Sequence, residues 1–362
     1  MSICRGSFRA LLLYDVAEEF DLVLLRDLLG PEPPARSPEF KLPSPGYVRF
    51  ERPPVLEASE PIFLATGESA SASLRYFDYG VVSLAIETRF EIDWPGLIDL
   101  SNRWIEAGEV EQRGLKYVRE HLGRLQSAMR KPYSEWLDEV YYAVHLRGVG
   151  SETAPLTAPQ LIAEYGREIC QVIRGEPQPL SESEQKEVLA ASLSYYPIDL
   201  LVVGWLAAVV YDTPEGAAPL IQLLEYANTQ LLEYRRYDVI LTTLLKDAYT
   251  ALEHRAGLFS RWRLARHAEQ LNRLRLEITE LTERADNAIK FLSDMFYARA
   301  YRLAAARVGA NDYRSLVDQK LRIAGDLYES MLNEFREFRG FLLELLVIAI
   351  LIIELIPIFR GK

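Results

Sequence analysis

Residues for metal and redox chemistry are scarce in this sequence. Its 362 residues include two cysteines, Cys4 and Cys170, and four histidines, His121, His145, His254 and His267. Two thiols make neither a disulfide framework nor a zinc ligand set, and a reducing compartment suits them. The histidines are scattered, with no H-E-x-x-H pair among them, so no metal or other cofactor is expected. Phosphate-cradling loops are missing as well: neither G-x-x-x-x-G-K-[ST] nor G-x-G-x-x-G occurs. The G-x-S-x-G elbow of serine hydrolases is also missing. No catalytic residue is therefore expected, and Cys170 and His145 read as a packed thiol and a hydrogen-bonded sheet histidine. A secretory signal is not expected either, because the apolar run at Leu11–Leu13 soon meets Asp15.

Positive charge is in short supply. There are 41 Lys and Arg against 52 Asp and Glu, a formal charge of −11. The deficit lies in the first 214 residues, with 20 basic against 32 acidic side chains. An acidic body repels nucleic acid, so direct DNA binding is not expected. One stretch runs against this trend: Arg261, Trp262, Arg263 and Arg266 cluster within RAGLFSRWRLAR. These four are candidate partner contacts, for RNA, a ribosome or anionic lipid headgroups. The plain alternative is a bend between helices whose arginines pair with neighbouring acids.

What is present is ordered patterning. An apolar run at Phe8–Val16 reads as a strand, and Phe20–Leu29 has helical spacing. A proline-rich connection follows Gly30. Tyr47–Leu56, Ala72–Phe77 and Gly80–Thr88 read as strands, the last two a hairpin turning at Asp78-Tyr79-Gly80. Asp93-Trp94-Pro95 opens a helix. The order then recurs: a strand at Asp138–Val149, a helix at Thr157–Ile173, strands at Glu187–Tyr196 and Leu200–Tyr211, and Asp212-Thr213-Pro214 opening the next helix. Ala72–Phe77 (ASLRYF) also resembles Ala191–Tyr196 (ASLSYY). The expected fold is α+β: two small ferredoxin-like α/β sandwich modules at 1–130 and 131–214, either with a sheet each or sharing one. From Glu215 the period is helical, and 215–340 reads as an antiparallel coiled-coil stalk. Leu271, Leu274, Ile278 and Leu281 form its three-and-four seam and are the candidate oligomerisation residues.

The chain closes on Phe341–Phe359, FLLELLVIAILIIELIPIF, of which seventeen residues are apolar or proline. Nineteen helical residues rise about 28 Å, close to the ~30 Å of a hydrocarbon core. Residues 341–362 are therefore expected to form a C-terminal membrane anchor marked by Phe341, Glu344, Leu351, Glu354 and Phe359. The bulk of the chain would lie on the cytoplasmic side. The alternative is a buried core or interface helix with Glu344 and Glu354 on its wet edge.

Three places resemble the family named for being required for meiotic nuclear division, which shares a domain of unknown function. They are Asp78-Tyr79-Gly80-Val81-Val82, Tyr211-Asp212-Thr213-Pro214, and the ending from Leu343-Glu344 through Ile353-Glu354-Leu355-Ile356. Leu345 departs from that family's pattern, which has Trp there. The resemblance implies a divergent bacterial member, membrane-associated, with relatives that support mitochondrial translation and with no catalytic residues to carry over. The expected function is a non-enzymatic, membrane-tethered scaffold that self-assembles and presents its acidic body to a partner, lipid and translation machinery included. The alternative is a ligand-sensing or hydrolytic α/β module.

Overall fold

β1 (Ile3–Phe20) organises the fold because both of its faces are apolar through the middle of the strand. Phe8, Ala10, Leu12 and Tyr14 point to one side and Leu11 and Leu13 to the other, and all six are buried. A strand buried on two faces needs a layer against each. The computed structural model describes residues 2–30, 53–63, 69–106, 108–150, 155–253, 269, 272–279 and 295–360. Within α6 and α8, defined below, the side chains of 251–253, 331, 332, 334–339, 342 and 354–360 are outside the description.

After β1 come α1 (Leu22–Leu29), β2 (Val55–Phe63), β3 (Ser69–Tyr76), β4 (Val81–Asp93), α2 (Trp94–Glu106) and α3 (Glu109–Leu122). Then follow β5 (Met129–Val149), α4 (Ala158–Arg174), α5 (Glu182–Ala190), β6 (Ser192–Leu193), β7 (Leu200–Val203) and β8 (Ala207–Tyr211). The described remainder is helical: α6 (Pro214–Glu253), 272–279, α7 (Met295–Arg307) and α8 (Ala310–Arg360). All eight strands join in one mixed sheet, ordered β2-β3-β4-β1-β5-β8-β7-β6. Every pairing is antiparallel except β5 with β8.

This single sheet corrects the expectation of two ferredoxin-like modules. β1 and β5, one from each expected module, pair along most of their length and leave no boundary between them. The supposed repeat also fails locally. Glu187–Tyr196 is not a strand: Ser181 caps α5 by accepting from the Glu184 N–H, and only Ser192 and Leu193 pair as β6. Leu200–Tyr211 is a hairpin rather than one strand.

Other local signals agree with the sequence. Asp93 Oδ1 accepts from the Gly96 N–H at 3.0 Å at the start of α2. Thr157 and Gln160 close a reciprocal capping box on α4. Gly80 turns the β3–β4 hairpin at φ +84°, and a Cβ there would lie 1.8 Å from the Ala17 carbonyl oxygen. No other residue type fits both demands.

On one face of the sheet, Phe8 packs on Trp104 of α2 with centroids 5.0 Å apart. Tyr142 of β5 donates from its hydroxyl to the Trp104 carbonyl at 2.9 Å. On the other face, Leu11, Leu13, Tyr141 and Val210 meet Leu220, Leu224 and Leu231 of α6 and Tyr301 and Ala304 of α7. The chain divides into two units, Met1–Arg236 with Ala285–Tyr313, and Tyr237–Arg284 with Arg314–Lys362. The sheet and both of its layers lie in the first. Within the second, Leu245 and Ala248 of α6 pack on Ala324 and Leu327 of α8. Lys320 there pairs with Asp238 and donates to Thr242 Oγ1 at 2.6 Å.

The expected membrane anchor is also corrected. Among the described residues no helix is long and apolar enough to cross a membrane. The uninterrupted apolar side chains described in α8 run only from Leu345 to Ile353, a rise of about 13 Å against the ~30 Å needed. Glu344 bounds them on the N-terminal side. The tail-anchored localisation drawn from that anchor falls with it.

Candidate functional site

Polar residues occur in one-residue alternation on three central strands, on the face that α6 covers. β1 offers Ser7 and Arg9, β4 offers Glu87 and Arg89, and β5 offers His145 and Arg147. Between them stand Phe8, Thr88 and Leu146, of which Phe8 and Leu146 turn to the opposite core. The antiparallel register brings these pairs together. Ser7 lies opposite Arg89 on one side and His145 on the other, and Arg9 lies opposite Glu87. The result is a polar patch at the end of the sheet where α6 begins.

That patch lines a cleft of about 180 Å³, closed on one side by Pro214, Ala217, Ala218 and Ile221 of α6. Arg9 Nη2 pairs with Glu87 Oε2 at 2.8 Å, and both side chains are about 28–29% exposed. The Ser7 hydroxyl also bonds Glu87. The carboxyl of Glu87 is held below its ordinary range: burial alone would raise it, but Arg9 and the bond from Ser7 outweigh burial. His145 donates from Nε2 to the Asp212 carbonyl at 3.0 Å. Burial, with help from Arg147 and Arg9, pushes its pKa down, so its ring is neutral at pH 7. Arg89 and Arg147 are exposed and form no ion pair with any described residue. Three arginines and one carboxylate thus give the cleft a net charge near +2 in a chain of −11.

A second cleft, of about 330 Å³, adjoins the first and shares Arg9 and Glu87 with it. It runs toward β2 and is lined by Leu56, Ala58, Ser71, Ser73 and Ala85. At its α6 wall, Arg75 pairs with the buried carboxylate of Glu225. Its charges cancel, so the two clefts differ in character.

The sequence-derived candidates lie elsewhere. Arg261, Trp262, Arg263 and Arg266 are outside the described residues, as are Leu271 and Leu281. Ile278 is fully buried and Leu274 half-buried within the second unit. Phe341, Glu344 and Leu351 are exposed on α8, where Glu354 and Phe359 have backbone but no described side chain. Both cysteines are buried, and burial pushes Cys4 up to about 12 and Cys170 up to about 11, which makes them inert thiols. Among the described residues no group of three His, Cys, Asp or Glu is placed to hold a metal ion. Sequence reasoning passed over Arg9, Glu87, Arg89 and Arg147. The signal was the period-two spacing of one polar pair in each of three strands, Ser7/Arg9, Glu87/Arg89 and His145/Arg147.

The family model that matches this chain is described as "Uncharacterized protein MJ0711, N-terminal domain" and covers residues 5–218. Those residues hold every charged group of the arginine cleft. Uncharacterized protein MJ0711 of Methanocaldococcus jannaschii is 22% identical over 189 residues, 52% of this chain and 58% of that protein. The chain thus spans less than two thirds of that relative's length. No solved structure matches it. The family match overturns the resemblance to the meiotic-nuclear-division family. That resemblance rested on generic features: Asp78–Gly80 is a hairpin turn, and Tyr211–Pro214 is a strand-to-helix junction where Asp212 Oδ1 accepts from the Thr213 N–H.

Proposed function

The chain belongs to the family described as the N-terminal domain of uncharacterized protein MJ0711, and we propose that its sheet unit is a ligand-sensing module for a small anion. The observation that carries this reading is the pair Arg89 and Arg147. Two guanidinium groups without ion-pair partners among the described residues line one cleft beside a third, Arg9. Guanidinium forks match the oxygen geometry of phosphate and carboxylate groups. Hydrolysis is not part of the proposal: Ser7 is committed to Glu87 and His145 to the Asp212 carbonyl.

Titration calorimetry with inorganic phosphate tests the reading. One saturable site per chain is expected, with affinity falling as salt is raised, because two of the three arginines are exposed. Absence of saturable heat at low salt refutes it.

A separate observation favours self-assembly as a second property. Phe341, Leu343, Leu345, Leu346, Val347 and Ile348 of α8 are each 52–60% exposed, and further apolar side chains continue to Ile353. An exposed apolar stretch of that length fits a second copy of the chain; one side of a stable interface buries about 800 Å². The variant L346E/I350E/I353E is expected to reduce the mass measured by light scattering to that of one chain. A wild-type chain that is already single removes this reading.

A further inference from the structure

The two adjoining clefts carry more information about the ligand than the arginines alone. The first has a surplus of positive charge and room for a phosphate-sized group with its last waters. The second has no surplus charge and more room, within the range of sites that hold small organic molecules. An anionic group placed in the second would meet the carboxylates of Glu87 and Glu225, while both arginines there are already paired. An uncharged group placed in the first would leave Arg89 and Arg147 desolvated without compensation. Each cleft therefore rejects what the other accepts.

The two spaces meet at Arg9 and Glu87, which line both. The row across the strands runs Ser71, Glu87, Arg9 and Ala143. Arg9 is thus at the junction where a head and a body would join. Beyond it the floor is built from the small side chains Ala58, Ser73 and Ala85, whose size is what leaves the space open. The Ser73 hydroxyl bonds no described residue and is half-buried, so it is free to accept or donate.

Resting on the anion reading of the arginine cleft, we infer that the ligand is a monoester: an anionic phosphate in the arginine cleft joined to an uncharged organic body in the adjoining cleft. The body is compact and the bonds offered to it are those of hydroxyl groups. Binding changes no covalent bond. The phosphate oxygens take up Arg89 and Arg147, and Arg9 turns part of its fork from Glu87 toward the ester oxygen.

The test compares affinities of the full chain, by calorimetry, for inorganic phosphate, ribose 5-phosphate, glycerol 3-phosphate, phenyl phosphate and free ribose. At least one ester is expected to bind about tenfold or more tighter than phosphate, the gain that burying a small organic body supplies. Free ribose is expected not to bind. The variant Ser73→Leu, and independently Ala58→Leu, should lower the tight ester to the affinity of phosphate and leave phosphate itself unchanged. Thermal melts of both variants establish that they fold. If phosphate binds and no ester binds tighter, the monoester inference is overturned while the anion reading stands. The same holds if both variants weaken phosphate and ester alike. If ribose binds as well as its phosphate, the head is not being read and the inference also fails. If neither phosphate nor ester binds, the anion reading itself is wrong.

Discussion

The double variant R89E/R147E is expected to lose phosphate binding altogether while melting within a few degrees of the wild type. The two arginines contribute nothing to packing that the sheet needs: both are exposed, and neither ion-pairs with a described residue. Surface substitutions of this kind usually shift stability by less than about 0.5 kcal/mol. Their effect on an anion is far larger. Charge-assisted hydrogen bonds contribute roughly 1.5–3 kcal/mol each, so losing one arginine should weaken binding about tenfold to a hundredfold. Reversing two turns the cleft from a balance near +2 to near −2. Arg9→Ala should also weaken binding, with a second cause: Glu87 is then left unpaired beside the ligand. Arg147→Lys keeps the charge but loses the planar fork, and an intermediate affinity is expected. Calorimetry and thermal melts on the same preparations check all of these. Unchanged phosphate affinity in R89E/R147E would place the anion elsewhere.

The second large effect is on stability. Arg236→Ala is expected to cost about 3–5 kcal/mol, a large part of the roughly 5–15 kcal/mol that holds a typical domain folded. Asp15 is 1% exposed and pairs with Arg236, which also donates to the Asp15 carbonyl at 3.3 Å and to the Glu135 carbonyl at 3.1 Å. The pairing sits where the β1–β5 register shifts between Asp15 and Ala17, so Arg236 serves a carbonyl at an irregular point of the ladder. Its guanidinium also lies over the Tyr133 ring at 4.2 Å. Truncating Arg236 leaves a buried carboxylate with no counter-charge.

The pH dependence has a definite sign. Burial raises Asp15 to about 6, more than Arg236 lowers it. The folded state therefore holds this proton more tightly than the unfolded chain, whose carboxyl titrates near 3.9. The stability linked to Asp15 is fully present below the unfolded pKa and is lost as pH rises through about 6. Without Arg236 the carboxyl rises further, so R236A should be more damaging at pH 7.5 than at pH 5. Asp15→Asn should remove that slope. Urea melts at the two pH values measure it; equal destabilisation at both would contradict the buried pair as its cause.

Several elements were legible from short-range signals. The hairpin glycine at 80, the Asp93 start of α2 and the helix opening at Thr157 each depend on a few neighbouring residues, and each forms where the sequence places it. The joining of β1 to β5 was not legible, because it pairs residues more than a hundred positions apart. A recurring order of strands and helices then looked like two modules. Leu200–Tyr211 looked like a single strand because its turn at Gly204–Leu206 keeps an apolar composition. The Ser181 cap was visible, with Glu184 three residues on, but the β-rich Ala191–Tyr196 drew the reading toward a strand. The C-terminal apolar run misled in another way: hydropathy counts side chains and carries no information on what they face.

The arginine cleft fell between these cases. Each strand carries its polar pair openly, yet nothing in Ser7-Phe8-Arg9, Glu87-Thr88-Arg89 or His145-Leu146-Arg147 says that the three pairs are neighbours. Only the register Arg89–Ser7–His145 does so. A charge pair spaced by two on a strand is usually a solvated face, and here the start of α6 turns that face into a cleft.

The most direct measurement is the anomalous X-ray map of crystals soaked in tungstate, an electron-dense tetrahedral oxyanion. The strongest peak is expected in the cleft, with its oxygens about 3 Å from the guanidinium nitrogens of Arg89 and Arg147. A bound tungstate at full occupancy elsewhere, with this cleft empty, would contradict an anion site on the sheet.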